Sequence, residues 1–532
     1  MSTQPFRLYV CLLVILTSLN LCAGAIPEPE QQAHDAGPGA GADREQGPPA
    51  TGSPQPAISQ QQPQASAVPN RTPMTAADLT NQLNQPEAAV KNHILVFQHK
   101  SISGNLQLGV EQLPVLFRVE FHDCEFQGKV AIEGAVFDQT VVFDNVTFDK
   151  VFQFENGHIK GDLHLYEVRM AHAQDPSAPG KPKPTKLQLN QTQVDGDVRI
   201  RNPEADVLEA ENLTAGNLIV WLAKSGVSQV DLRKLETGRV SIAGNPGTGL
   251  NQLQLGGSSI RETLTIQNLA LQTLLASNVT VAKRIQLLPQ TLIEKRLDLL
   301  SSNLGSFEWT FPGDEPFRLP EDLNIEGATF SNLQVAPQFT GEAKSEEERE
   351  NRWRARHTDY GLAFLEKATY FESAYAAYEA LLKSQGRGDA ADAVYFAMRD
   401  RRRYTEWEDA ATSSGRAVAG MNYVIGFGHK WLFGYGRSWV YPIVWCVAFI
   451  VAGAFVFRDV ALMEKEDAQP VSPFSSLWYT IDLFVPVLSL GVANRWRPKH
   501  DRRFLLFYSK LLSLAGLVFL SAALGALTGS LK

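Results

Sequence analysis

Residues 122–137 have the sequence HDCEFQGKVAIEGAVF, and this stretch contains the pattern that decides the fold. Within it, Gly128 opens a five-residue signature: glycine, any residue, an apolar residue, any residue and a second apolar residue. The signature recurs at Gly104–Leu108, Gly161–Leu165, Gly196–Ile200, Gly216–Val220 and Gly238–Ile242, with degenerate copies at Glu262–Ile266 and Glu321–Ile325. A turn residue followed by alternating apolar side chains predicts a short strand with one buried face.

A second, shorter periodicity accompanies the signature, because apolar residues follow one another at alternating steps of six and five residues. The clearest run is Phe126, Ile132, Phe137, Phe143, Phe148, Phe154, Ile159 and Leu165. Such a repeat also occurs in supercoiled helices, but the intervening Gly, Asp, Asn, Thr and Val residues are poor helix formers. We therefore predict a β-solenoid over residues 90–340, whose stacked coils bury one continuous apolar column.

Two segments, 122–128 and 133–137, resemble pentapeptide-repeat proteins, since a small residue stands two positions before a central phenylalanine. The resemblance implies a right-handed, four-sided β-helix.

The chain begins with a segment typical of export. Arg7 precedes the short apolar run Leu8–Leu21, and Ala23-Gly-Ala25 matches a small-residue cleavage site, so residues 1–25 are predicted to be a cleaved signal peptide. Residues 26–75 are rich in Pro, Gln, Ala and Gly, which favours a disordered linker. The solenoid would then lie outside the cytoplasm.

Residues 345–425 are helical in character, with Phe371, Tyr375, Tyr378 and Leu382 on one predicted helical face. This segment resembles the helix hairpin that joins pentapeptide repeats to a two-helix, ion-channel-like domain in some bacterial membrane proteins. A plain helical linker is the alternative.

A membrane domain is predicted over residues 438–531, because 439–457 and 504–528 are apolar and long enough to span a bilayer. Between them, the apolar segment 473–493 is either a re-entrant helix or a third span. This order resembles the layout of two-helix cation channels. The loop 486–492 has no Thr-Val-Gly-Tyr-Gly filter, so the resemblance does not extend to potassium selectivity.

Polar residues of this domain are the candidate site residues. Asp482 and Lys510 are the polar candidates within predicted membrane segments. A charge at membrane depth is costly, so Asp482 either has a function, lies at the interface, or pairs with Lys510 or a nearby arginine. Lipid head groups are the expected contacts of five cations, Arg495, Arg497, Lys499, Arg502 and Arg503. The positive-inside rule places the 458–503 loop in the cytoplasm. The predicted location is the bacterial inner membrane, multi-pass, with an extracytoplasmic solenoid.

Sequence motifs for catalysis, metals or cofactors are missing: there is no Walker loop, dinucleotide fingerprint, zinc-protease motif or nucleophile elbow. The net charge of −8 does not suggest nucleic-acid binding. The acids Asp162, Asp195 and Asp197 recur near predicted turns, where they either cap turns or form the paired acids of β-helix polysaccharide enzymes.

The sequence thus predicts a non-enzymatic membrane-anchored protein without a cofactor. Its exported solenoid would bind or sense a protein or another envelope component. One alternative is a channel-like pore formed by an oligomer, and a second is an extracytoplasmic carbohydrate-active enzyme.

Overall fold

The computed structural model describes residues 71–84, 93–109, 114–171, 184–222, 226–313, 317–339, 345–346, 348–349, 351–352, 359–438, 440–465, 473–485 and 490–527. The chain divides into two compact units. One contains Ala67–Asp409, and the other includes Ala410–Lys532. The predicted signal peptide and residues 26–70 of the predicted linker lie outside the described residues, whereas Thr72–Thr75 form a strand.

The first unit contains a β-solenoid of about ten turns, which confirms the prediction of a β-solenoid for this part of the chain. Its strands pair in parallel with those of the next coil: Glu125 pairs with Thr147, for example, 22 residues further on. A complete coil contains four short strands, as in Val141–Asp144, Thr147–Phe148, Phe152–Glu155 and His158–Ile159. Each strand corresponds to one of the alternating five- and six-residue steps.

The repeating apolar residues form the solenoid core. Phe121 stacks between Phe97 and Phe143 with ring centroids 5.0 Å apart on both sides, and Phe126 stacks on Phe148 at 5.1 Å. Later coils continue the first column with aliphatic side chains, since Phe143 pairs with Leu165. Each coil therefore buries its apolar side chains only when its neighbours are present.

The corners between strands use residues in the left-handed backbone conformation. One corner column has φ near +50° at five residues: His99, Asp123, Asn145, Glu167 and Asn202. Asn145 also donates a side-chain hydrogen bond to Asp123 of the preceding coil. The glycines of the five-residue signature have a structural role different from that of the corner residues. A Cβ at Gly128 would lie 1.9 Å from the carbonyl oxygen of Gly104, so these glycines allow close contact between coils.

Helices close both ends of the solenoid core. At the start, α1 (Ala76–Leu83) buries Ala76, Leu79 and Leu83, and a capping box between Thr75 and Asp78 begins it. At the other end, Phe364 of α2 (Tyr360–Lys367) packs 5.4 Å from Phe307. Two further helices, α3 (Glu372–Ser384) and α4 (Gly388–Glu408), complete this unit.

The predicted helical face is confirmed for Tyr375, Tyr378 and Leu382, all buried in α3. Arg401 of α4 fixes the helices to one another. Its guanidinium donates to the carbonyl oxygens of Leu365 and Ala368 and to the hydroxyl of Tyr375. The boundary between the two units falls after Asp409, inside the 345–425 segment.

The strands are β1 (Thr72–Thr75), β2 (Ile94–Gln98), β3 (Lys100–Ser103), β4 (Leu106–Gly109), β5 (Arg118–His122), β6 (Glu125–Phe126), β7 (Val130–Glu133), β8 (Val136–Phe137), β9 (Val141–Asp144), β10 (Thr147–Phe148), β11 (Phe152–Glu155), β12 (His158–Ile159), β13 (Leu163–Tyr166), β14 (Arg169–Met170), β15 (Lys186–Gln188), β16 (Gln193–Arg201), β17 (Val207–Glu209), β18 (Thr214–Trp221), β19 (Gln229–Asp231), β20 (Glu236–Gln254), β21 (Ser259–Ile260), β22 (Thr263–Leu275), β23 (Thr280–Val281), β24 (Arg284–Leu287), β25 (Leu292–Asp298), β26 (Asn303–Pro312), β27 (Asp322–Asn324), β28 (Thr329–Gln338), β29 (Met463–Lys465) and β30 (Trp496–Pro498).

The second unit is mostly helical. It contains α5 (Ser413–Phe433), α6 (Val440–Val456), α7 (Ser476–Phe484) and α8 (Arg503–Leu527), together with the antiparallel pair β29 and β30.

Candidate functional site

The helical unit contains the site residues that the sequence singled out. At 1.5 Å per residue, α6 is about 26 Å long, α7 about 14 Å and α8 about 38 Å. Among the described residues, one helix is long and apolar enough to cross a bilayer, at Arg503–Gly525. A second arises if Ser413–Gly436 and Val440–Val456, which meet at 109°, count as one broken span.

Segment 473–493 contains the nine-residue helix α7 and not a span-length helix over its described residues. About 14 Å is half of a 30 Å hydrocarbon core, so α7 is too short to cross a bilayer by itself. Of the two interpretations made from the sequence, a re-entrant segment fits this length.

Two glycines let α7 pack closely between α6 and α8. A Cβ at Gly453 of α6 would lie 2.4 Å from the Cγ2 of Thr480, and one at Gly516 of α8 would lie 1.7 Å from the carbonyl oxygen of Phe484. Thr480 and Phe484 are fully buried. The sequence analysis did not identify these glycines. Single small residues in otherwise apolar helices were the available signal, because they allow helix backbones to approach.

Asp482 ties α7 to the chain that follows it. Its Oδ1 accepts a hydrogen bond from the backbone N–H of Leu490 at 2.8 Å, and its Oδ2 accepts one from Ala493 at 2.6 Å. Among the described residues, these amides are its hydrogen-bond partners, whereas Lys510 is exposed on α8. The structure therefore does not bring the two predicted membrane-depth residues together as an ion pair.

The five predicted head-group contacts lie in one turn, Arg495–Arg503, which we call the basic turn. Arg495, Lys499, Arg502 and Arg503 are exposed, and Arg497 is half-buried in β30. Strand β30 pairs with β29, and Lys465 lies over the ring of Trp496, 5.5 Å from its centroid. The basic turn thus presents several cations directly before α8 and at its first residue, Arg503.

Large apolar side chains of α6 and α8 are left uncovered within this unit. The exposed fraction is 53% for Val451, 59% for Leu514 and 67% for Phe507. Folded proteins in water rarely leave contiguous apolar surfaces uncovered unless something binds there. This surface accordingly needs a partner or an apolar solvent.

The solenoid presents a different surface, on which charged side chains form a network. His122 lies between two carboxylates, with Nε2 3.0 Å from Glu120 and Nδ1 3.1 Å from Asp144. Arg118 lies 2.6 Å from Glu120. The sequence analysis did not identify this network, although polar residues at alternating positions of β5 signalled an outward-facing row.

The pKa values of His122 and His164, both on this face, shift in opposite directions. Burial lowers the pKa of His122, but its hydrogen bonds to Glu120 and Asp144 outweigh burial and raise the pKa above 6.5. Burial raises the pKa of Glu120, but hydrogen bonding and the nearby charges of His122 and Arg118 bring it below 4.5. For His164, burial dominates and lowers the pKa, despite the charge of Asp162.

Each of the three singled-out aspartates has partners. Asp162 accepts the backbone N–H of Asp197 at 2.8 Å, which links two coils. Asp195 lies 3.0 Å from His158, and Asp197 accepts from Asn217 at 2.8 Å. Groups of three or more His, Cys, Asp or Glu residues able to hold a metal ion do not occur within the described part of the chain.

Comparisons with models of known protein families, with curated proteins and with solved structures found no match for this chain. The resemblance to pentapeptide-repeat proteins and to two-helix channels therefore stays a prediction from the residues that carry it. The solenoid itself rests on the strand pairing described above.

Proposed function

We propose that this is a non-enzymatic membrane-anchored protein whose exported solenoid is an interaction or sensing domain at the bacterial inner membrane. In this proposal α6 and α8 form a transmembrane pair and α7 is a re-entrant helix between them. The bilayer is one partner, and a protein or another envelope component binds the solenoid.

The observation that carries the proposal is the uncovered apolar surface of α6 and α8. Val451, Leu514 and Leu517 are all more than half exposed, and α8 alone exceeds the length of a bilayer core. The hydrocarbon of a lipid bilayer would cover these apolar side chains at no cost in free energy, whereas their exposure to water is unfavourable.

Charge supports one orientation. The basic turn follows β29 and ends at the first residue of α8, and the positive-inside rule places these cations in the cytoplasm. Two spans then leave the solenoid and the C-terminus on the opposite side. This arrangement agrees with the predicted signal peptide.

Reporter fusions test the orientation. Reporters placed at residue 300, within 460–470 and after Lys532 are expected to report outside, inside and outside, respectively. A cytoplasmic result at residue 300 would overturn the export of the solenoid. An outside result within 460–470 would reverse the orientation of the pair.

Membrane extraction tests the anchor. Leu514→Asp with Leu517→Asp puts two charges on α8, at about 2.5–3.5 kcal/mol each for insertion near the centre of a bilayer. We expect this variant to leave the carbonate-resistant membrane fraction. Val151→Asp is the matched control, because Val151 is an exposed apolar residue of the solenoid. Retention of the double variant in the membrane fraction would contradict the proposed anchor.

A second candidate function, a pore in an oligomer, is favoured by one observation. A short buried helix lies between two longer ones, and Asp482 holds the chain that follows it. Bilayer recordings of the full chain and of Asp482→Ala test this candidate. A conductance that the variant alters would favour a pore, and the lack of any conductance above background would eliminate it.

A further inference from the structure

Helix α5 is apolar and almost wholly uncovered. It is described over its whole length, and Ala419 is its one buried residue. Its large apolar and aromatic side chains are between 41% and 69% exposed at seven positions: Val418, Met421, Tyr423, Val424, Ile425, Phe427 and Trp431. An exposed apolar surface of this size is typical of a contact site for a membrane or a partner.

Most of the exposed apolar side chains share one side of α5. Met421, Val424, Phe427 and Trp431 follow one another at steps of three, three and four residues, which places their side chains on one helical face. Asn422 and His429, seven residues apart, lie on another face. At about 100° per residue, Asn422 and Val424 point about 160° away from each other. The helix is therefore amphipathic, although both faces are exposed.

The direction of α5 relative to α6 is fixed by its C-terminal end. Gly434, Tyr435 and Gly436 all have positive φ, at 52°, 50° and 76°, and these residues turn the chain sharply. The indole N–H of Trp445 in α6 donates to the carbonyl oxygen of Trp431 at 2.9 Å. The two helices meet at 109°.

We propose that α5 lies in the membrane interface, with the face of Met421, Val424 and Trp431 against the acyl chains and Asn422 toward water. This inference rests on the proposed function, since it takes α6 as a span. A helix at 109° to a span along the bilayer normal lies about 19° from the membrane plane (109 − 90). An amphipathic helix in that position buries its apolar face at the acyl boundary.

The bilayer is the occupant that fits this surface. The exposed side chains of α5 continue along the chain into the exposed side chains of α6, such as Val440 and Val444. Tyr423 and Trp431 are aromatic types that favour the membrane interface. A phospholipid surface covers a wide, convex apolar arc without needing a matching groove.

Spin labels on the full chain test the inference. A cysteine-free variant receives one cysteine at 422, 424 or 451, and each protein is reconstituted into vesicles of zwitterionic and anionic phospholipid. Collisions with oxygen, which concentrates in lipid, are compared with collisions with a water-soluble nickel complex. We expect the oxygen-to-nickel ratio to be several-fold higher at 424 than at 422, and high at 451.

Each other outcome overturns the inference in its own way. High ratios at both 422 and 424 would make α5 a crossing span. Low ratios at both positions, with a high ratio at 451, would leave the anchor intact and assign the surface to a protein contact such as a second copy. A low ratio at 451 would overturn the proposed anchor as well. All three positions are exposed, so the labels themselves are compatible with folding.

Discussion

Replacing Asp482 by alanine removes both acceptors that hold the chain after α7. The Leu490 and Ala493 amides donate to separate oxygens of this carboxylate, at 2.8 and 2.6 Å. A hydrogen bond to a charged group contributes about 1.5–3 kcal/mol. Since about 1.4 kcal/mol corresponds to a factor of ten, loss of one such hydrogen bond raises the equilibrium constant for local opening of each amide by about 10- to 150-fold.

Hydrogen–deuterium exchange of the full chain in phospholipid nanodiscs measures this change. We expect exchange of the peptide that covers 490–493 to accelerate by that factor in Asp482→Ala. In Asp482→Asn we expect a smaller effect, because the amide keeps one acceptor oxygen. Asp501→Ala is the matched control, since Asp501 is exposed and lies 3.6 Å from Arg502. Unchanged exchange in Asp482→Ala would refute the role of this carboxylate as the tie between α7 and the following chain.

Three further predictions concern packing and pH. Gly128→Ala forces a Cβ to 1.9 Å from a backbone oxygen and should lower the free energy of unfolding by about 1–3 kcal/mol. Gly226→Ala is the control, because Gly226 has open space around it. Equal denaturation midpoints for the two variants would contradict the close contact between coils. His122→Gln should lower the melting temperature most between about pH 4.5 and 6.5. The raised pKa of His122 stabilises the fold at low pH, and this stabilisation is lost as the pH rises through the raised pKa. The lowered pKa of Glu120 stabilises the fold at higher pH, and this stabilisation is lost as the pH falls through the lowered pKa. A pH-independent difference in melting temperature would contradict this. Gly516→Ala should separate α8 from the end of α7, because its Cβ would lie 1.7 Å from a carbonyl oxygen, and unchanged thermal stability in detergent would contradict that packing.

The strands of the solenoid could be predicted because their apolar periodicity is imposed by the core itself. Leu163 and Leu165, the two apolar positions of one signature, are both fully buried. The task of the leading glycine could not be predicted. Gly161 suggested a turn, but it lies against Thr140 of the preceding coil. A contact between residues about one coil apart depends on how the coils stack, which a single local motif does not specify.

The helices of the second unit could be located from hydropathy, and their partners could not. The predicted 504–528 segment agrees closely with Arg503–Leu527, because a long apolar run needs no tertiary information. The tie made by Asp482 depends on backbone amides that follow α7. Backbone amides carry no side-chain signal, so the sequence pointed to the charged side chains of Lys510 or a nearby arginine as partners instead.

A high-salt wash distinguishes the two ways in which the helical unit could bind a membrane, through the charges of the basic turn or through its apolar helices. Each of the five cations of the basic turn contributes about 1 kcal/mol at an anionic surface, and this attraction is screened at 1 M salt, where the Debye length is about 3 Å. The exposed Leu514, Leu517 and Phe507 of α8 contribute about 1.5–3 kcal/mol each when covered, and salt does not weaken that contribution. We therefore expect the full chain to stay on membranes washed with 1 M sodium chloride. Release by this wash would mean that the basic turn, and not the apolar helices, holds the protein on the membrane.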